Sequence, residues 1–351
     1  MLFELCNTMG DMLIEEPTKD SVFEVSGMLQ TSFNKLFEFL QKEILCDVVI
    51  KAGNKSIKCH RNVLASCSPY FQAMFTAPLV ESKQHVITIG DIDELAMEML
   101  IKFAYTAKVE LNASNAQALL HASSVLQLDA LAQACCDFMS SQLHPSNCLG
   151  IRQLAHQLGQ VDLVKKADSY AKYNFRQVVL NDEFVSISAK HLEELISSSD
   201  LFVDNEIEVY EALMLWIKHD VDRRKDLIPK LLSKVHLPLL PLSYLRMYVE
   251  SDSLVRKNLE CRDLLDEAWH YQMWQVSRLP TAHLPVNERT RPRKSYAGMI
   301  FCIGGRGITG DPFSSVEFYS WMHNKWIKLN SMSTSRRHVG CVSVKGMIFF
   351  S

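Results

Sequence analysis

The hydrophobic residues of this chain change their period twice, and those changes divide it. Residues 1–25 hold no sustained periodicity and carry Glu15-Glu16-Pro17, the pattern of a flexible tail. From Phe33 the spacing is helical, with Phe33, Leu36, Phe37 and Leu40 on one face, and it then alternates through Cys46-Asp-Val-Val-Ile50. A turn at Gly53-Asn54 and a second alternating stretch from Ser56 to Cys59 predict a helix followed by a hairpin. Ser68 stands where an N-cap belongs, with Pro69 at the first helical position and Tyr70, Phe71, Met74 and Phe75 as the apolar stripe. Val86-Ile-Thr-Ile89 predicts a short third strand, bounded by Gly90-Asp91. Four further helical segments are predicted through Leu143, the last with Leu128, Leu131, Ala132, Cys135 and Met139 on one face. Residues 28–143 therefore form a mixed α/β unit.

Beyond Pro145 the strand signals vanish. Helices are predicted from Ser146 to about Gln275, with breaks at Gly159, Asn181-Asp182 and Pro238 to Pro241, making residues 144–276 an all-helical array. One helix is well marked: Asn205 caps it, Glu208 sits three residues on, and Val209, Ala212, Leu213 and Trp216 form its stripe. Residues 277–295 contain Pro280, Pro285, Pro292 and the basic run Arg289-Thr-Arg-Pro-Arg-Lys294, the composition of a linker. A solvated hinge is the favoured reading of that run, and a nuclear-import signal the sharper alternative. The pattern then turns to β over residues 296–351, with strands predicted at Met299 to Ile303, Ser315 to Phe318, Lys325 to Leu329, Gly340 to Val344 and Met347 to Phe350. Met347-Ile-Phe-Phe350 repeats Met299-Ile-Phe-Cys302 after 48 residues, without the Ile303-Gly-Gly305 that follows the first copy. Such a spacing predicts one repeat of roughly 50 residues and the start of a second. Repeats of this kind bury their faces against neighbours, so the expectation is an array cut short early.

Composition adds mainly exclusions. The chain has 351 residues, 48% of them hydrophobic and 22% charged, which is ordinary for globular protein and allows several domains. A formal charge of −3 offers no basic footprint for nucleic acid. Glu4 and Asp11 stand where a signal peptide would carry basic residues, and no apolar run reaches the ~18 residues of a membrane span. The expectation is an unanchored intracellular chain. Ten cysteines then read as reduced and mostly buried thiols, and none is spaced as C-x2-C, so neither a metal nor a cofactor is expected. Cys67, beside the helix start at Ser68-Pro69, is the one candidate redox thiol. Neither a nucleophile elbow nor metal-ligand spacing supports a catalytic site, and Gly304-Gly-Arg-Gly307 lacks the helix start and Lys-Ser/Thr of a phosphate cradle.

Three segments, Cys46-Asp-Val, His60-Arg-Asn-Val-Leu-Ala-Ser-Cys-Ser-Pro-Tyr-Phe-Gln-Ala-Met-Phe75 and Phe103-Ala-Tyr-Thr106, together resemble a BTB (POZ) domain. The stretch from His144-Pro-Ser-Asn-Cys-Leu-Gly150 through Cys261-Arg-Asp-Leu-Leu-Asp-Glu-Ala268 resembles a BACK domain. Gly304-Gly305, Tyr319 and Trp326 resemble a kelch repeat, and the order is that of the kelch-like family. The fold class this implies is multidomain: an α/β BTB (POZ) fold, an all-α BACK helical array, and an incomplete β-propeller of about one kelch blade. The function it implies is a non-catalytic, homodimeric substrate adaptor of a cullin-3 RING E3 ubiquitin ligase. In that family BTB and the first BACK helices bind the cullin and the propeller holds a protein substrate, here unidentified.

Carried over by position, the cullin-binding motif is Leu79-Val80-Glu81, with Leu79 as an apolar anchor and Glu81 as a register-setting charge. His144 to Asn174 resembles the helical extension that completes the cullin groove, with Leu149, Leu154, Ala155, Leu158, Leu163 and Ala167 as its apolar set. The stripe of Phe33, Leu36, Phe37 and Leu40 is read as a helix exchanged across a dimer, because in its own subunit it would leave a broad apolar face in water. Asp47 and Arg61 match the charged pair of the BTB dimer interface, and His60 is read as a core histidine. Gly304, Gly305, Tyr319 and Trp326 are assigned structural roles. The implied location is cytoplasmic, with nuclear entry left open. The alternatives are an actin or cytoskeletal BTB-kelch scaffold and a dominant-negative short form. A BTB transcriptional regulator would need a DNA-reading module, and no C-x2-C with paired histidines is present.

Overall fold

Val48, Ile50 and Ala52 alternate inward along β1 (Val48–Ala52), and that alternation makes the first hydrophobic stretch the centre of a sheet. The computed structural model describes residues 26–78, 83–277, 287–295, 300–320, 325–344 and 347–350. They fall into two compact units, one ending at Cys135 and the other starting at Cys136.

In the first unit α1 (Met28–Gln41) leads into β1. β1 pairs antiparallel with β2 (Lys55–Cys59), Ile50 opposite Ile57, and parallel with β3 (Val86–Thr88), Val49 opposite Val86. The β1–β2 turn requires Gly53, whose φ is +55°. A Cβ there would also lie 2.4 Å from the Glu94 carboxylate, which accepts the Asn54 amide at 2.6 Å. The helices α2 (Arg61–Cys67) and α3 (Pro69–Thr76) follow, joined at Ser68. The Ser68 hydroxyl accepts from the Phe71 amide at 3.2 Å and donates to the Leu126 carbonyl at 2.6 Å, so the expected cap also ties α3 to a distant loop. Then come α4 (Glu94–Thr106), α5 (Ala116–Val125) and α6 (Asp129–Ser141), which runs across the Cys135–Cys136 boundary. Three helices thus occupy the stretch where four were predicted. Between α4 and α5 the Asn112 carboxamide accepts from the Ser114 and Asn115 amides at 3.0 and 3.1 Å, a local side-chain turn that competes with helix.

The second unit is helical as far as Ser277. It contains α7 (Cys148–Gln157), α8 (Val161–Tyr173), α9 (Phe175–Val179), α10 (Asp182–Ser186) and α11 (Ala189–Ile196). These are followed by α12 (Glu206–His219), α13 (Val221–Arg224), α14 (Ile228–Leu232), α15 (Leu242–Tyr244), α16 (Ser253–Arg256) and α17 (Leu259–Ser277). Asn205 caps α12 through the Ile207 amide, and Val209, Ala212, Leu213 and Trp216 are buried as predicted. Glu208 does not close a capping box; it turns outward to pair with Arg176. The Trp216 indole donates to the Ile187 carbonyl at 3.1 Å, and the Arg224 guanidinium lies 3.9 Å over its ring.

The final β segment matches the predicted strands to within a residue or two at most ends. β4 (Ile300–Ile303), β5 (Val316–Ser320) and β6 (Lys325–Lys328) form one antiparallel sheet, and β7 (Cys341–Val344) with β8 (Met347–Phe350) another. Neither sheet closes on itself, consistent with part of a propeller. Tyr319 sits opposite Trp326 with ring centroids 5.5 Å apart. Gly304 has φ +63°, and a Cβ there would fall 2.6 Å from the Arg336 carbonyl, so this strand end admits only glycine without rearrangement. Gly305, at φ +109°, donates its amide to that same carbonyl at 2.9 Å.

Candidate functional site

The stripe of α1 lies along the α4 side of the first unit, yet none of its residues is fully buried. Leu36, Phe37 and Leu40 are half-buried, while Phe33, Met28 and Leu29 are 37%, 63% and 80% exposed. A broad apolar stretch of the helix therefore faces outward in the single chain. Its exit follows an uncommon backbone path. Glu43 and Leu45 both take left-handed backbone conformations, φ +54° and +58°, which side chains rarely adopt without tertiary support.

That support comes from His60. Its ring Nε2 lies 2.9 Å from the Ile44 carbonyl and its Nδ1 2.8 Å from the Tyr105 hydroxyl, while its backbone amide donates to the same hydroxyl at 2.9 Å. A carbonyl can only accept, so Nε2 carries the proton and the Tyr105 O–H donates to Nδ1. His60 is the core histidine expected, and the partner that the sequence did not reveal is Tyr105. Burial pushes the Tyr105 hydroxyl well above its ordinary range, which keeps it a donor. Tyr105→Phe leaves the His60 amide and Nδ1 unpaired in a buried site and is expected to destabilise the first unit by about 1–3 kcal/mol. Urea unfolding of the variant checks it, and an unchanged midpoint would show that the network contributes nothing.

The proposed cullin-binding residues Leu79, Val80 and Glu81 lie outside the described residues. Their flanks do not. Arg61 links those flanks: its guanidinium lies 4.9 Å over the Phe75 ring and donates to the Gln84 carbonyl. Asp47 is exposed, and its carboxylate accepts the Arg61 backbone amide at 2.8 Å, satisfying the start of α2, where the His60 side chain forms no cap. Within one chain, then, both residues expected at a dimer interface hold local structure.

On the helical side, Leu149, Ala155, Leu163 and Ala167 are buried, and Leu154 and Leu158 half-buried, so the α7–α8 pair presents its polar residues outward. Arg152 bridges Asp168 at 3.1 Å and Glu194 at 2.7 Å. Burial alone would raise the Asp168 carboxyl, but its contacts with His191 and Arg152 hold it below the ordinary range.

The basic run is not a solvated hinge. Residues 287–295 form a strap packed on the helical array. Asn287 and Thr290 cap each other reciprocally, and Arg289 pairs with Glu267 at 2.6 Å. Arg293 is 0% exposed; its Nε and Nη2 meet the two oxygens of Glu206, itself 1% exposed, at 3.0 and 2.7 Å. Nη1 donates to the Ser198 carbonyl at 2.9 Å and Nη2 also reaches the Lys234 carbonyl at 3.3 Å. Cys67, the candidate redox thiol, donates to the Val63 carbonyl at 3.2 Å, and burial raises its pKa. Both disfavour the thiolate form that a sensor uses. Among the described residues no group of three or more His, Cys, Asp or Glu could hold a metal ion, and no helix is long and apolar enough to cross a membrane.

Family comparisons match these units in order. Residues 36–143 match the BTB/POZ domain model, and residues 148–250 match the BACK model, BTB And C-terminal Kelch. The chain is 42% identical over 328 residues to mouse Kelch-like protein 8, covering 93% of this chain and 52% of that protein. It is 41% identical to human Kelch-like protein 17, covering 89% of this chain and 48% of that one. Mouse Kelch-like protein 3 is 38% identical, with 95% and 57% covered. The chain thus spans about half the length of these relatives. A BTB/POZ domain followed directly by a BACK domain, with about 40% identity to three Kelch-like proteins along nearly its whole length, places this chain in the Kelch-like BTB–BACK family.

Proposed function

We propose that the chain is a cytoplasmic, non-catalytic adaptor subunit of a cullin-3 RING ubiquitin ligase. It would dimerise through BTB and bind the cullin through Leu79-Val80-Glu81 after α3 together with the first BACK helices. The catalytic cysteine and RING chemistry would belong to other subunits. One observation supports this best: Arg61 ties Phe75 to Gln84, the described flanks of the segment carrying Leu79-Val80-Glu81. Flanks tied to each other leave less of the segment to order on binding.

In this reading Leu79 fills an apolar pocket of the partner and Glu81 meets a basic or polar group. Titration calorimetry with the cullin-3 N-terminal region tests it. Leu79→Ala combined with Glu81→Ala is expected to weaken binding at least ~30-fold, the loss of about 2 kcal/mol or more that a central anchor supplies. Undiminished affinity would remove these residues from the interface. Co-sedimentation with actin filaments at physiological salt distinguishes the scaffold alternative.

A further inference from the structure

The basic run ends on a hydroxyl. Arg291, Arg293 and Lys294 stand four, two and one residues before Ser295, the pattern of positive charge that basophilic protein kinases read in an extended substrate. In the folded chain that pattern is not legible. The Arg293 guanidinium is sequestered by Glu206, and the Lys294 amide donates to the Ser199 carbonyl at 3.0 Å while its ammonium pairs with Asp200. The half-buried Ser295 hydroxyl accepts the Val203 amide at 3.1 Å, with the Val203 and Leu201 carbonyls at 2.7 and 3.2 Å from the same oxygen. Its single O–H proton must donate to one of those carbonyls.

We propose that Ser295 is a phosphorylation site for a basophilic serine/threonine kinase, gated by the docked strap, and that phosphorylation and docking exclude each other. The step is ordinary phosphoryl transfer. A kinase carboxylate takes the hydroxyl proton, Oγ attacks the γ-phosphorus of Mg-ATP, and the bond to the bridging oxygen breaks with its electrons leaving on ADP. The kinase must straighten residues 291–295 to read them, so the rate is scaled by the fraction of molecules whose strap is open. Once modified, the side chain has no proton to give the Val203 and Leu201 carbonyls and brings roughly −1.5 to −2 charge against them. Redocking would set that charge against two carbonyl oxygens, so the strap stays released. By linkage, whatever holds the strap down suppresses the modification by the same factor. The switch lies between the helical array and β4, where release would detach the β segment's tether from the BACK helices.

A synthetic peptide of residues 287–298 is first exposed to a panel of arginine-directed kinase catalytic domains, and an active one is then applied to the whole chain, with sites read by mass spectrometry. The peptide is expected to be modified at Ser295, and the intact chain at least ~10-fold more slowly. Glu206→Gln, which weakens the hold on Arg293, and Asp200→Asn, an exposed change that frees Lys294 and spares the core, should each speed the reaction on the whole chain. Phosphorylated protein should show faster hydrogen exchange at the Val203 and Lys294 amides. The proposal fails if no kinase of the panel modifies the peptide at Ser295, or if peptide and intact chain react at equal rates. It also fails if Asp200→Asn leaves the rate unchanged, or if exchange at Val203 and Lys294 stays slow after phosphorylation.

Discussion

Glu206→Ala is expected to destabilise the helical unit by about 3–5 kcal/mol, far more than a surface charge would, because it strands the Arg293 guanidinium at 0% exposure. Arg293→Ala strands the carboxylate instead and should lose a comparable amount. Replacing both, as Glu206→Leu with Arg293→Met, removes the unpaired charge together with its partner and should recover most of the loss. Urea unfolding followed by tryptophan fluorescence reads all three, and simple additivity of the single changes would sink the idea that the pair acts as a unit. The pH dependence follows from the same contacts. Burial pushes the Glu206 carboxyl up, but Arg293 outweighs it and holds the pKa below its ordinary 4.5. The stability it contributes is therefore fully present above pH 4.5 and is lost as pH falls through the folded value. Burial also holds His236 below its ordinary 6.5, so the fold favours the neutral ring there and acidification below pH 6.5 opposes folding at this site too. Strap and array should loosen together on the acid side.

Why this pair escaped the sequence reading is instructive. Glu206 reads as one acidic residue in a helix's first turn, and Arg293 as one of several basic residues among prolines, 87 positions away. Hydrophobic periodicity reports local burial, and neither residue is hydrophobic. Where burial and local chemistry coincide, the sequence was readable: Ser68-Pro69 caps α3, Asn205 caps α12, and the β1–β2 hairpin turns at Gly53. The BTB, BACK and kelch-like order was equally legible, since it rests on contiguous motifs. Tyr105 and Arg61 were harder. Tyr105 fits an apolar helix face, and nothing local shows that its hydroxyl closes on His60, 45 residues earlier. Arg61 suggested an interface charge, whereas its reach to Phe75 and Gln84 exists only after α3 and β3 have packed. The count of four helical segments after β3, where three form, failed for the opposite reason. Asn112 and Asn115 satisfy backbone groups with their own side chains, a competition that periodicity does not register.

Charge placed on the outer face of α1 should separate a dimer without unfolding the chain. Phe33 and Leu29 are the informative positions: both lie on the outward stretch, at 37% and 80% exposure, and Leu29 has little burial in its own chain to lose. If α1 packs against a second copy, a two-fold interface counts each substitution twice. An apolar anchor lost at both symmetric positions removes about 2 kcal/mol each, so Phe33→Glu is expected to weaken self-association by roughly a thousandfold, with Leu29→Glu in the same direction. Sedimentation velocity over a range of concentrations checks it. Leu40 supplies the contrast: it is half-buried on the helix that packs along α4, so Leu40→Ala should lower the unfolding midpoint of the first unit itself. Should α1 serve only its own subunit, Leu29→Glu would change neither sedimentation nor stability, because a side chain mostly in water has little burial to lose. A monomer produced by Phe33→Glu at an unchanged unfolding midpoint would assign the outer face to the partner and the inner face to α4. It would also show that the left-handed turn at Glu43 and Leu45, held by His60, aims the helix toward a second chain.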